Sequence, residues 1–258
     1  MSLLEIREVT HYFGGLRAVY NLNLKLEGGE LMGLIGPNGA GKTTVFNLVS
    51  GFYTPTEGEV LFLGQSLAGL RPHQVTARGM ARTFQNIRLW NSLTVFENLC
   101  LSQHCHLGYG LLGAILRTRG FTENERRVRK TARQLLEILG LSHYADELPK
   151  NLPYGMQRRV EIGRALSLHP RLLLLDEPAA GMNPSEVDQL IELVRWIRDE
   201  FKLTIWLIEH QMRVVMNLCE MIKVLDFGET IAEGAPVEVQ QNPRVVQAYL
   251  GDEEASYA

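Results

Sequence analysis

The sequence predicts an α/β fold with a mainly parallel sheet at its core, an antiparallel β subdomain and a helical subdomain. Three observations predict it. Short apolar runs alternate with helical patterns over the last third of the chain; three strand-like segments lie near its start; and a glycine-rich loop joins an apolar strand to a helix.

Taken in order, Leu3 to Val9, Leu22 to Glu27 and Glu59 to Leu63 read as strands, and the middle one alternates with perfect period two. They suit an antiparallel sheet with one solvated face. Leu31 to Ile35 reads as a buried strand and Val45 to Val49 as the start of a helix. Thr122-Glu123-Asn124-Glu125 opens a later helix through a capping box, and Leu135, Leu136 and Leu139 continue its apolar face, within a helical block from about residue 90 to 165. Strands then return at Arg171 to Asp176, at Thr204 to His210 with the histidine last, and at Met221 to Asp226. Between the first two, Asn183 is an N-cap, Pro184 occupies the first helical position and Glu186 sits at N3, ahead of an apolar face of Val187, Leu190, Ile191, Val194 and Ile197. Strands alternating with helices imply a parallel sheet covered on both sides.

Composition narrows the class. The net charge of −3 across 258 residues leaves no polybasic field for DNA or RNA, so nucleic acid is not an expected partner. The longest uncharged apolar stretch, Leu107 to Leu116, is far short of the roughly 20 residues that a membrane-crossing helix needs. Met1 to Arg7 lacks a secretion-signal pattern, and Cys100, Cys105 and Cys219 are too few for a disulfide framework, so a cytoplasmic location is expected. Cys100, His104, Cys105 and His106 lie close in sequence without the usual Cys-x₂-Cys spacing of a metal site, so packing is the expected role.

The segment Gly36-Pro37-Asn38-Gly39-Ala40-Gly41-Lys42-Thr43-Thr44 fits the G-x-x-x-x-G-K-[ST] pattern, flanked by strand and helix as that pattern requires. Gly36, Gly39 and Gly41 free the backbone to turn its N–H groups toward phosphates. Lys42 reaches the outer phosphates, Thr43 can ligate Mg²⁺, and Thr44 adds a donor at the positive end of the helix. Leu172 to Glu177 is a buried strand ending in two carboxylates, of which Asp176 suits the water shell of a metal and Glu177 suits polarising an attacking water. His210 at a neighbouring strand tip could bond a γ-phosphate or a water. Gln85, in Arg82-Thr83-Phe84-Gln85-Asn86, takes its weight only from this set.

The set resembles the ATP-binding subunits of ABC transporters over nearly the whole chain. Phe13 looks like the aromatic that stacks on adenine, Gln85 like the Q-loop glutamine that also reaches Mg²⁺, Leu152-Pro153-Tyr154-Gly155-Met156-Gln157 like the signature, Ala180-Gly181-Met182-Asn183 like the D-loop and His210 like the switch histidine. Within that family the chain is most similar to the larger ATPase subunits of branched-chain amino acid importers, in residues 154–162, 176–184 and 242–251. The resemblance implies one ABC ATPase domain: a nucleotide-binding core with its antiparallel β subdomain over 1–85 and 166–258, and the helical subdomain over about 90–165. It implies ATP and Mg²⁺, Glu177 as catalytic base, and a peripheral position on the cytoplasmic face of the cell membrane. The implied partners are a second ATP-binding subunit in a heterodimer, or a second copy in isolation, two integral membrane permeases, and indirectly a periplasmic binding protein. Residues 86–121 are then the expected contact with the permeases, and His104 to Leu116 suits either that contact or core packing.

Pro153 stands where the family's signature serine bonds ATP held by the opposite subunit, and Tyr154 where it has glycine. Proline offers neither hydroxyl nor N–H. Unequal composite sites are therefore expected: a competent one on this chain's own loop and a weaker one closed by Pro153 and Tyr154. Other cargoes, such as urea, other amino acids or exported lipopolysaccharide, use similar motors. A soluble non-transport ABC ATPase is an alternative of another class, and a small-molecule P-loop kinase leaves the signature-like segment unexplained.

Overall fold

The computed structural model describes residues 2–106, 116 and 118–255. The chain forms two compact units, one of residues 1–82 with 171–258 and one of residues 83–170.

The first unit carries two sheets. Strands β1 (Leu4–Phe13), β2 (Leu16–Leu26), β4 (Glu57–Phe62) and β5 (Gln65–Ser66) form an antiparallel sheet in the order β2-β1-β4-β5. In β2, Leu22, Leu24 and Leu26 are buried while Asn23 and Lys25 are exposed, so the period-two pattern becomes one core face and one wet face. Strands β1 and β2 run longer than the sequence predicts, up to a two-residue turn at Gly14-Gly15, where Gly14 takes φ +57°. Phe13 is left at that tip.

The second sheet has the order β10-β9-β3-β8-β7-β6, from β3 (Leu31–Ile35), β6 (Met80–Arg82), β7 (Leu172–Asp176), β8 (Thr204–Ile208), β9 (Met221–Asp226) and β10 (Glu229–Gly234). All its pairings are parallel except the β9–β10 hairpin. Every residue of β3, β7 and β8 is buried, as expected where both faces are covered. The predicted strand through His210 stops at Ile208, leaving Glu209 and His210 beyond the ladder. Helix α1 (Lys42–Val49) packs Phe46 against Trp206 with ring centroids 5.0 Å apart, both fully buried. Burying each such ring contributes about 2 kcal/mol or more.

Helix α6 (Pro184–Phe201) starts where its capping box predicts: the Asn183 side chain accepts from Glu186 N and the Glu186 carboxylate accepts from Asn183 N. The predicted apolar face is buried and Leu193 joins it. Short helices α2 (Pro72–Ala77), α7 (Met212–Leu218) and α8 (Pro236–Gln240) and the terminal α9 (Pro243–Ala255) complete this unit.

The second unit is helical, built on α3 (Val95–Ser102), α4 (Arg119–Ile138) and α5 (Tyr154–Leu166). Its core gathers Leu99, Val128, Leu136, Leu139 and Val160. Asn98, fully buried, donates to the carbonyls of Trp90, Leu93 and Thr94 and accepts from Trp90 N, tying the lead-in loop to α3. The predicted start of α4 at Thr122 is wrong by one turn. Thr118 caps the helix by accepting from Phe121 N at 3.4 Å, and Thr122, already inside it, donates back to the Thr118 carbonyl. Most of the stretch His104 to Leu116 lies outside the described residues, as does the question of its contact. Among the described residues no helix is long and apolar enough to cross a membrane.

Candidate active site

Strands β3, β8 and β7 are neighbours, and their register pairs Leu34 with Ile208 and Ile208 with Asp176. Their carboxyl ends therefore release three segments side by side: Gly36 to Gly41, Glu209-His210, and Glu177 onward. This is the edge at which open parallel sheets bind ligands.

The loop after β3 turns on Gly36 (φ +151°), Gly39 (φ +80°) and Gly41 (φ +98°). A Cβ at Gly36 would stand 2.0 Å from the Leu225 carbonyl oxygen and one at Gly41 would stand 2.4 Å from that of Ala18, whereas one at Gly39 would meet open space. Close approach of the protein's own backbone thus demands two of the three glycines, and only Gly39 faces space for a ligand. Helix α1 then begins at Lys42, with no side-chain cap and no acidic residue in its first turn. Its free N–H groups and positive dipole end form an anion site. Lys42 is buried and its Nζ donates to the carbonyls of Gly36 (2.7 Å) and Pro37 (2.8 Å). Asn38, Gly39 and Thr43 are exposed, Thr44 is half-buried, and Pro37 and Ala40 are buried in the wall of the loop.

Asp176 ends β7 almost fully buried, and its Oδ2 accepts from Arg82 Nη2 at 2.8 Å. The other Arg82 terminal nitrogen donates to Asn47 Oδ1 (2.7 Å) and Ser50 Oγ (2.9 Å), which joins the carboxylate to the far end of α1. Nothing in the sequence signals that partnership across 94 positions. Glu177 follows at φ +45° with its N–H donating to the Ile208 carbonyl, and its Oε2 lies 3.7 Å from His210 Nδ1. The structure thus brings together the acid and the histidine that the sequence singles out, with the imidazole half-exposed.

Glu209 was passed over by sequence reasoning. Its carboxylate has no exposed surface, and it accepts from Ala179 N (2.8 Å) through one oxygen and from His210 N (3.0 Å) and Gln211 N (3.2 Å) through the other. Burial pushes its pKa above the ordinary carboxylate value despite those three donors. An acid between an apolar strand and a histidine was the available signal.

Phe13 sits exposed at its hairpin tip, edge-on to His11 (4.7 Å) and Tyr53 (5.2 Å), while His11 and Tyr53 stack at 5.6 Å. The aromatic platform has three members, of which the sequence reading identified one.

Gln85 and the signature-like residues belong to the second unit. There Arg158, fully buried, donates to the carbonyls of Phe84 (2.7 Å) and Gln85 (2.9 Å) and pairs with Glu161 at 2.6 Å, and Glu161 accepts from Phe84 N. The pair clamps the backbone of Gln85 to α5 and leaves its side chain exposed. Burial raises the Glu161 pKa against the pull of Arg158. Leu152 is buried and its carbonyl accepts from Gln157 Nε2; Pro153 and Tyr154 are exposed, and Gly155, Met156 and Gln157 are half-buried. Pro153 stands at the N-cap of α5 and supplies no side-chain bond, and its carbonyl accepts from Met156 N and Gln157 N, both at 3.0 Å, so the helix starts without a side-chain cap behind Tyr154 and Gly155.

The donor set fits a nucleotide with a hard cation: backbone N–H groups and an ammonium for phosphates, and the oxygens of Thr43 and Asp176 for Mg²⁺. Residues 19–180 match the ABC transporter family, and residues 229–255 match the family described as branched-chain amino acid ATP-binding cassette transporter. The high-affinity branched-chain amino acid transport ATP-binding protein BraF of Pseudomonas aeruginosa is 44% identical over 250 residues, 97% of this chain and 98% of that protein. The crystal structure of the ADP conformation of an ATP-binding cassette of an ABC transporter matches with a TM-score of 0.84 at 32% identity, covering 97% of this chain and 99% of that one. A dimeric post-hydrolysis state of an ATP-binding cassette bound to ADP and Pi matches with a TM-score of 0.76 at 26% identity, covering 90% and 98%.

Proposed function

The chain belongs to the ABC transporter family as an ATP-binding subunit, and from that premise we propose that it hydrolyses ATP to drive the import of branched-chain amino acids. The cargo rests on the similarity to BraF and on the match of residues 229–255. The chemistry rests on one observation, the meeting of the glycine loop, Glu177 and His210 at the carboxyl ends of three adjacent strands.

The phosphates bind the loop and the first turn of α1, and Lys42 exchanges its two carbonyl partners for the outer phosphates. Thr43, Asp176 through water and Gln85 would hold Mg²⁺, which would supply screening for the charge of the phosphates. Phe13, with His11 and Tyr53 behind it, offers its ring to adenine. Glu177 takes the proton of the attacking water, and His210, beside it, donates to the γ-phosphate.

A second ATP-binding subunit completes each site with its own signature, and the dimeric solved relative supports that arrangement. Residues 152–157 of this chain close the partner's site in return. With proline and tyrosine at its head, that closure relies on the α5 N-terminus alone and is the weaker of the two. Two permeases anchor the pair to the cytoplasmic face of the membrane, and a periplasmic protein delivers the amino acid. The test is steady-state ATPase and transport by the assembled heterodimer carrying Glu177→Gln. Turnover should fall by about two orders of magnitude or more; near-normal turnover would overturn the assignment of this site as the competent one.

A further inference from the structure

The net charge of −3 conceals a segregation. Residues 83–170 carry twelve Lys and Arg against seven Asp and Glu, a net +5, so the remaining unit carries −8. The excess concentrates on α4, which has Arg119, Arg126, Arg127, Arg129, Lys130 and Arg133 against Glu123, Glu125 and Glu137. Val128, Ala132, Leu135 and Leu136 bury one face of that helix. On the other, Arg126, Arg129, Lys130 and Arg133 are exposed at i, i+3, i+4 and i+7, a stripe about 10 Å long that lines a shallow surface groove of about 570 Å³ together with Glu125 and Glu137, four cations against two carboxylates. Among the described residues none of these four cations is ion-paired. Arg129 lies 5.9 Å from the Phe96 ring, and Arg127, off the stripe, donates to Asn124 Oδ1 at 2.8 Å.

We propose that this face of α4 is an electrostatic docking surface for anionic phospholipid headgroups, which presses the subunit against the membrane beside its permeases. Three of the four cations are arginines, whose planar forks match phosphate oxygens. Every exposed position of the helix, from Arg119 to Glu137, is polar or glycine. A protein partner would need aromatic or aliphatic anchors beside the charges, whereas a headgroup layer needs none. Duplex nucleic acid, engaged through about six to ten phosphates, requires a wider positive field than four residues on one helix.

The inference rests on the reading of the chain as a subunit that works at a membrane, and the experiment separates the two. The full-length chain is sedimented with phosphatidylcholine vesicles with and without phosphatidylglycerol, while its ATP affinity is measured in parallel. Binding should require phosphatidylglycerol and vanish at about 1 M salt, where the screening length is about 3 Å. The variant Arg126→Gln/Lys130→Gln/Arg133→Gln should bind those vesicles about a hundred-fold more weakly, at about five-fold per cation, with ATP affinity unchanged. Equal binding to neutral vesicles, full binding by the variant, or tighter binding to an acidic polyglutamate peptide or to duplex DNA would overturn the proposal. Loss of ATP binding by the wild-type chain would instead overturn the ATPase reading and leave the lipid result standing.

Discussion

At the scale of single residues, the glycine loop separates two demands that a pattern match merges. At Gly41 an added Cβ meets the Ala18 carbonyl at 2.4 Å and φ is +98°, while at Gly39 the space is open at φ +80°. Gly41→Ala should therefore destabilise the fold by about 2–4 kcal/mol in urea titrations. Gly39→Ala should cost only about 1 kcal/mol and lose mainly ATP affinity, read by nucleotide titration. Glu209 makes a pH prediction. Burial raises its pKa above the ordinary 4.5, so the native state holds its proton more tightly than the unfolded chain does. Its favourable contribution is present below about pH 4.5 and fades as pH rises through the raised value. The stability difference between wild type and Glu209→Gln should accordingly shrink from about pH 4.5 toward pH 7, and a difference that widens would contradict it. Lys42 and Thr43 were legible from the glycine-loop pattern, and Asp176, Glu177 and His210 because each stands at or next to a strand end that periodicity reveals. Arg82 and Tyr53 were not, because their partners lie far away in the chain, and Glu209, marked in the sequence only by its place between an apolar strand and a histidine, has its distant partner Ala179 set by the pairing of β7 with β8.

At the scale of elements, the Arg158–Glu161 pair holds the Gln85 backbone on α5 from inside the helical unit. Removing one member strands the other: Arg158→Met should cost about 3–5 kcal/mol, and the double change Arg158→Met/Glu161→Leu should recover much of that loss. Denaturant unfolding of the three variants checks the cycle. Helix α6 and strands β3, β7 and β8 follow from caps and buried runs, because local chemistry and tertiary packing agree there. Strand β6 is three residues long and β10 alternates only weakly, so each exists by pairing with a neighbour that the sequence does not mark. The misplaced start of α4 has a comparable origin: Thr118 and Thr122 both qualify as caps, and the earlier one intercepts the helix.

For the whole molecule, the signature-like segment turns Pro153 and Tyr154 to solvent with no side-chain cap on α5 behind them, which suits its proposed role against a second subunit. Restoring the family pattern with Pro153→Ser/Tyr154→Gly should raise ATP turnover at the partner's site in the heterodimer by about ten-fold, one to two hydrogen bonds' worth. The measurement is turnover in an assembly whose other site carries Glu177→Gln, and no change would mean that the substitutions do not limit that site. The fold class was readable because strand and helix periods switch cleanly along the chain. The charge segregation was not, since a sum over all residues erases it. One buried carboxylate has a larger consequence than its size suggests. Because Glu209 staples Ala179 to the backbone of His210 and Gln211, the turn after Glu177 and the turn bearing His210 are tied to one another. In the proposed dimer, a second subunit pressing on the former turn would therefore displace the latter as well.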